Sequence, residues 1–232
     1  MLLPSQYARD FVRAAADAAA ASALELGPQA APSAAAAALR EALRSAHVAT
    51  SAPGSATAVV LRVDAASGVA TAASLGDSGV LHARGGKSLT LTPPQQWRFN
   101  CPRQFGYPPR VPDTDFADQA AVFAFPLRPG DQLVVATDGL WDNCFPAEVA
   151  AVAARHAGDP RAAAAALAAT AAERGGDEAA DTPFARAAQA AGEAPLTLME
   201  RARGVRVAGG KLDDVTVVVL EVTDGADADD AA

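Results

Sequence analysis

The segment Asp131-Gln-Leu-Val-Val-Ala-Thr-Asp138-Gly-Leu-Trp-Asp142-Asn143 is where this sequence is best equipped for chemistry. Its nearly continuous apolar run reads as a buried strand that stops at Asp138. Gly139 frees the backbone to turn, so the Asp138 carboxylate is expected to sit fixed on the rim of a sheet. Asp142, four residues on, lies beside Asp138 if the chain enters a helical turn. Rigid neighbouring carboxylates are what hard, oxygen-loving cations such as Mg²⁺ or Mn²⁺ require. Taken by itself, an ordinary Asp-Gly turn after a strand is the commoner meaning of such a segment.

Two other places repeat the arrangement of strand, turn and acid. Asp77 stands in Ser74-Leu-Gly-Asp-Ser-Gly79 between two predicted strands. Asp213 and Asp214 stand before the apolar run Val215-Thr-Val-Val-Val-Leu220, behind Gly209-Gly-Lys-Leu212. Each alone is a turn more often than a ligand. Three at strand ends of one sheet point to a converging acidic cluster, whose mutual repulsion opposes folding unless cations neutralise it.

The elements that must position these acids follow from periodicity. Residues from about Ser5 to Ser22 place Phe11, Val12 and several Ala at helical spacing, with Ser5 as cap. After the Gly27-Pro28 and Pro32-Ser33 break, a second Ala-rich helix runs to about His47. Thr57–Asp64 and Val69–Leu75 read as strands joined at Ser67-Gly68, and Val80–Arg84 as a third closed by Gly85-Gly86. Pro93–Asp118 lacks periodicity and reads as a long surface loop. Strands follow at Ala120–Phe125 and Gln132–Thr137, then a helix opened by Pro146 and another over Arg161–Glu173. Gly175–Glu193 is a connector with some helix, and Asp214–Val222 a final strand. Helices, a β-meander, helices and a returning strand make an α+β chain with a largely antiparallel sheet.

With 232 residues the chain can bury one proper core. Half of it is hydrophobic but only 5% aromatic, so Ala-rich helices must do much of the packing. A net charge of −8 argues against general affinity for nucleic acid or anionic membrane. Part of that charge lies in Asp224–Asp230, which reads as a solvated, disordered tail over 224–232. Cys101 and Cys144 match no metal-ligand spacing and fit a reducing compartment, with a disulfide between them left open. No apolar run reaches the length of a membrane span, and Met1-Leu-Leu-Pro-Ser shows neither secretory signal nor transit peptide.

Ser55-Ala-Thr57, Gly76-Asp-Ser78, Ala136-Thr-Asp-Gly-Leu-Trp-Asp142 and Asp213-Asp-Val-Thr-Val217 resemble, in order, successive motifs of the PP2C (PPM) metal-dependent serine/threonine protein phosphatases. Gln95–Pro102, Thr182-Pro-Phe-Ala185 and Gly209-Gly-Lys211 are similar to the mitochondrial and chloroplast branch of that family. The resemblance implies a PP2C-like sandwich of largely antiparallel sheets flanked by helices, forming one domain over 1–223. It implies that Asp138 and Asp213 ligate a pair of Mg²⁺ or Mn²⁺ ions, and that Asp77, Asp138 and Asp142 hold a third, weaker one. No catalytic side chain beyond the metal ligands is then needed, because a metal-activated water attacks the phosphorus of a phosphoserine or phosphothreonine protein. It places Thr57 as a support of its strand, and the compartment as intracellular, in mitochondrion or chloroplast.

The family's N-terminal Asp-Gly-x-Gly-Gly motif is missing, together with the strands and phosphate-holding arginine around it. The expectation is therefore a domain incomplete at its N-terminus, either part of a working phosphatase or a pseudophosphatase that binds phosphoprotein without turnover. In the long loop, Trp97, Phe99, Phe105 and Tyr107 with Arg98, Arg103 and Arg110 either dock a phosphopeptide or pin the loop onto the sheet. Arg98 and Arg103 are the candidate substrate contacts. Lys211 after Gly209-Gly210 has the wrong spacing for a phosphate loop. His82 reads as a structural histidine, Trp141 and Phe145 as packing beneath the Asp138 turn, and Phe184 as core.

Overall fold

Alanine supplies the helices of this protein and small β-forming residues its strands. The computed structural model describes residues 5–26, 31–107, 111–193, 199 and 203–224. The Gly27-Pro28 break, Arg110 and the acidic tail from 225 onward lie outside the described residues. In chain order the elements are α1 (Ser5–Leu26), α2 (Pro32–Ala49), β1 (Ser55–Ala56), β2 (Ala58–Asp64), β3 (Val69–Leu75), β4 (Gly79–Arg84) and β5 (Lys87–Leu91). Then come β6 (Gln96–Arg98), β7 (Cys101–Pro102), β8 (Phe105–Gly106), β9 (Ala121–Pro126), β10 (Asp131–Ala136), α3 (Asp138–Trp141), α4 (Pro146–Arg155), α5 (Pro160–Gly175), α6 (Pro183–Ala191) and β11 (Val217–Glu221). Among the described residues no helix is long and apolar enough to cross a membrane.

The chain divides into two compact units, one of residues 1–78 and 93–127, the other of residues 79–92 and 128–232. In the first, Tyr7, Phe11 and Ala15 recur every four residues along α1, and Leu39, Leu43 and Ala46 line one face of α2. They close over Ala73 and Leu75 of β3, with Phe105, Ala117 and Ala120 completing the core. β3 is the middle strand of an antiparallel sheet in the order β2-β3-β9, with Ala58 opposite Leu75 and Val69 opposite Pro126. Its Ala-Thr-Ala-Ala-Ser sequence is buried along its length, which small side chains permit.

The second unit is built on an antiparallel sheet in the order β11-β10-β4-β5. Leu81 and Ala83 of β4 and Val134 and Ala136 of β10 pack against Val149, Val152 and Ala153 of α4 and Leu167 and Ala171 of α5. Pro160 stands at the start of α5, where Asp159 caps it by accepting from the Ala162 N–H at 2.9 Å. At the far end of β10, buried Asp131 accepts hydrogen bonds from His82 Nε2 and the Arg128 N–H at 2.8 and 2.9 Å, and pairs with Arg84. His82 is therefore structural.

The α+β class and the antiparallel pairing agree with the sequence reading. The final strand is shorter than read, Val217–Glu221 in place of Asp214–Val222, and three further details differ. β5 was not anticipated, because Lys87-Ser-Leu-Thr-Leu91 is an exposed edge strand without a buried face to mark it. The stretch read as one loop contains the short strands β6, β7 and β8, which are too brief to show periodicity. α1 also runs beyond Ser22 to Leu26.

Candidate active site

The site grows from the end of β10. After Ala136 the chain leaves the sheet, and Asp138 opens the single helical turn α3, in which the Asp142 N–H donates to the Asp138 carbonyl at 2.7 Å. That turn puts the two acids one above the other. Trp141 pins it from beneath by donating Nε1–H to the Ala136 carbonyl at 2.8 Å. The structure thus bears out Trp141 as packing under the turn.

Asp213 reaches the same place from the approach to β11. Thr137 joins the two segments: its Oγ1 donates to the Asp214 carbonyl at 3.1 Å and accepts from the Thr216 N–H at 3.0 Å. Its own N–H donates to the Thr216 carbonyl at 3.1 Å. Gly139 makes this approach possible, since a Cβ there would stand 2.6 Å from the Asp214 carbonyl oxygen. The turn glycine therefore serves close packing between acid-bearing segments.

Asp138, Asp142 and Asp213 converge on one cation, and it is the ammonium of Lys211. Lys211 Nζ lies 2.6 Å from Asp138 Oδ2, 2.8 Å from Asp142 Oδ2 and 3.1 Å from Asp213 Oδ2. Burial opposes the lysine's charge, but hydrogen bonds to Asp138 and Asp142 outweigh it and hold its pKa above the ordinary value. Burial also pushes the Asp142 carboxyl up, against Lys211 and reinforced by the like charges of Asp138 and Asp213. Burial acts on Asp213 in the same direction, yet the Asp214 N–H and Lys211 bring its pKa below the usual carboxylate value. Among the described residues no group of three or more His, Cys, Asp or Glu side chains is arranged to hold a metal ion. Lys211 supplies the positive charge that these three carboxylates face.

Lys211 is held by its backbone. Buried Asn143 donates Nδ2–H to the Lys211 carbonyl and to the Gly139 carbonyl, both at 2.9 Å, and its Oδ1 accepts the Lys211 N–H at 2.9 Å. At Gly210 any Cβ would collide with the Arg174 carbonyl, so only glycine fits. Thr182, which caps α6, donates Oγ1–H to the Gly209 carbonyl at 2.7 Å. Phe184 is only half-buried, and its ring centroid lies 5.6 Å from Lys211 Nζ.

The remaining predicted residues belong to the first unit. Asp77 occupies the bend after β3, where Gly76 packs against Thr57 with a φ of 102°. Thr57 Oγ1 and Ser78 Oγ share a hydrogen bond of 2.8 Å, consistent with Thr57 as a support. Arg103 lies over the Trp97 ring, 3.9 Å from its centroid, and pairs with buried Asp115 at 3.2 Å. Asp115 also accepts from Trp97 Nε1 at 3.3 Å and from the Gln104 N–H at 2.9 Å. Arg98 is exposed on β6. Sequence reasoning missed Lys211, Asn143 and Asp115. The available signal for Lys211 was its place two residues before Asp213 in Gly209-Gly-Lys211.

The family profile of stage II sporulation protein E (SpoIIE) matches residues 5–223. The chain belongs to the SpoIIE/PP2C phosphatase family. Among relatives of this PP2C chain, probable protein phosphatase 2C 55 of Arabidopsis thaliana is 36% identical over 180 residues, 76% of this chain and 35% of that protein. Probable protein phosphatase 2C 26 of the same plant is 32% identical over 180 residues, 76% of this chain and 57% of that protein. The PP2C chain thus spans between about a third and three-fifths of the length of these relatives. The X-ray structure of the photosystem II phosphatase PBCP superposes with a TM-score of 0.82 at 27% identity, covering 96% of this chain and 81% of that one. That agreement extends the α+β assignment to the architecture of a solved PP2C phosphatase.

Proposed function

We propose that this chain carries the acid cluster of a metal-dependent phosphatase that hydrolyses phosphoserine and phosphothreonine proteins with Mg²⁺ or Mn²⁺. One observation carries the reading: carboxylate oxygens of Asp138, Asp142 and Asp213 all lie within 3.1 Å of a single cationic atom. As they stand these acids enclose the ammonium and are not arranged around an ion, but with Nζ displaced their oxygens are the hard donors that Mg²⁺ or Mn²⁺ takes. Asp138 and Asp213 would hold the ion, with Asp142 alongside. A bound divalent ion supplies acidification of water and neutralisation of phosphoryl charge. The chain supplies position: Thr137 keeps Asp138 against the Asp213 segment, and Asn143 keeps Gly139 against Lys211. Exposed Arg98 and Trp97, with Arg103 stacked on the latter, are the proposed contacts for a phosphopeptide.

An organellar compartment, mitochondrion or chloroplast, is supported by the branch-like segments Gln95–Pro102, Thr182–Ala185 and Gly209–Lys211 and by the 27% identity with PBCP. The test is hydrolysis of p-nitrophenyl phosphate and a phosphothreonine peptide with Mn²⁺, with EDTA, and in Asp138→Asn. Turnover that needs Mn²⁺ and falls at least about 100-fold in Asp138→Asn is expected. A folded chain that turns over neither substrate would overturn this chain as an enzyme by itself and leave it either part of a working phosphatase or a pseudophosphatase.

A further inference from the structure

Lys211 contacts the same three acids that the proposed function assigns to a metal. We propose that Lys211 is a tethered counter-cation that competes with the divalent ion for Asp138, Asp142 and Asp213, and so sets how much metal the protein requires. The inference rests on the reading of the cluster as a metal site and adds to it a residue that sets affinity.

Three features argue for a built device. Lys211 Nζ is within 3.1 Å of an oxygen from each acid, and an ion bound to those oxygens would meet the ammonium at repulsive distance. The lysine's backbone is locked by both the Nδ2–H and the Oδ1 of the Asn143 amide, and by Gly210 against Arg174, so the stem always starts from the same point. Finally, the ammonium is held from a further side. In the same position Nζ lies 5.6 Å from the centroid of the Phe184 ring, and Phe184 is itself fixed by its N–H donating to the Asp142 carbonyl at 2.9 Å.

In this position the lysine offsets part of the repulsion among the three carboxylates. When an ion enters, that contact is broken, so every binding event includes its loss. Thr182, through its bond to the Gly209 carbonyl, joins the segment that carries Lys211 to the segment that carries the Phe184 ring.

The experiment is calorimetric titration with Mn²⁺ alone, with melting temperatures measured in EDTA and in saturating Mn²⁺, on the full chain. Lys211→Met keeps the apolar stem and is expected to bind Mn²⁺ at least about tenfold more tightly. Its melting temperature should fall in EDTA and recover in Mn²⁺. Mn²⁺ binding by Lys211→Met no tighter than wild type, while Asp138→Asn abolishes binding, would overturn the counter-cation and leave the metal site standing. Absence of Mn²⁺ binding in every variant and the wild type would overturn both.

Discussion

Asn143 and Lys211, 68 residues apart, are joined by two hydrogen bonds of 2.9 Å between one side-chain amide and the backbone N–H and C=O of one residue. A third bond, to the Gly139 carbonyl, ties the same amide to the Asp138 turn. Asn143 is 1% exposed, so nothing but the protein can satisfy these groups. Asn143→Ala should therefore cost about 3 kcal/mol in urea denaturation. It should also change Mn²⁺ affinity, because Lys211 loses its fixed origin. A loss under about 0.5 kcal/mol would show that the amide holds nothing.

Gly139→Ala tests whether the acids meet through close backbone approach. The added Cβ would stand 2.6 Å from the Asp214 carbonyl oxygen and 3.0 Å from Val215 Cγ2. The two segments must separate, carrying Asp138 away from Asp213. Mn²⁺ affinity should drop at least about tenfold while the circular dichroism of the sheet is retained. Unchanged affinity would detach the convergence from this glycine.

Asp131 gives the fold a predictable acid limit. Burial raises its pKa, but hydrogen bonds from Arg84, His82 and the Arg128 N–H prevail and hold it well below the usual carboxylate range. A group with a depressed folded pKa contributes stability that is complete above its unfolded value, about 4, and is lost as pH falls toward the folded value. Asp131→Asn should lower stability at neutral pH by about 2 kcal/mol. The difference from wild type should shrink steadily below about pH 4 in acid titrations followed by fluorescence. A constant difference down to about pH 2 would contradict the linkage.

The two cysteines are both free and should react at very different rates. Burial pushes the Cys144 thiol up to about 11 and leaves it 2% exposed, whereas Cys101 is half-buried on β7. At neutral pH the Cys144 thiolate is about one part in ten thousand. Ellman's reagent should titrate one thiol in the native protein and two in denaturant, with mass mapping placing the first on Cys101. Fast native labelling of Cys144 would show that the β10–α4 core opens.

Much of this protein can be read directly from its residues, and the reasons are local. Leu133, Val134 and Val135 form an unbroken apolar run that reads as a buried strand, and Asp138-Gly139 must end it. The Ala-rich periodicity of α1 and α2 and the hairpin at Ser67-Gly68 are likewise settled within a few residues. Asp138 and Asp213 could be singled out because each stands where a strand stops or is about to start, and Asp142 because it lies one helical turn beyond Asp138. The edge strand β5 was hidden because pairing with β4, and not a buried face, creates it.

Only the tertiary structure decided what the acids face. No pattern around Lys211 says that its ammonium enters the cluster, since that depends on Asn143 and Arg174, far away in sequence, and on glycines that let backbones touch. The residue types and their strand-end positions belong to the sequence, because local sterics and hydrophobicity act over a few residues. The meeting of three negative charges with one positive charge belongs to the fold, because electrostatics acts between atoms that only packing brings together.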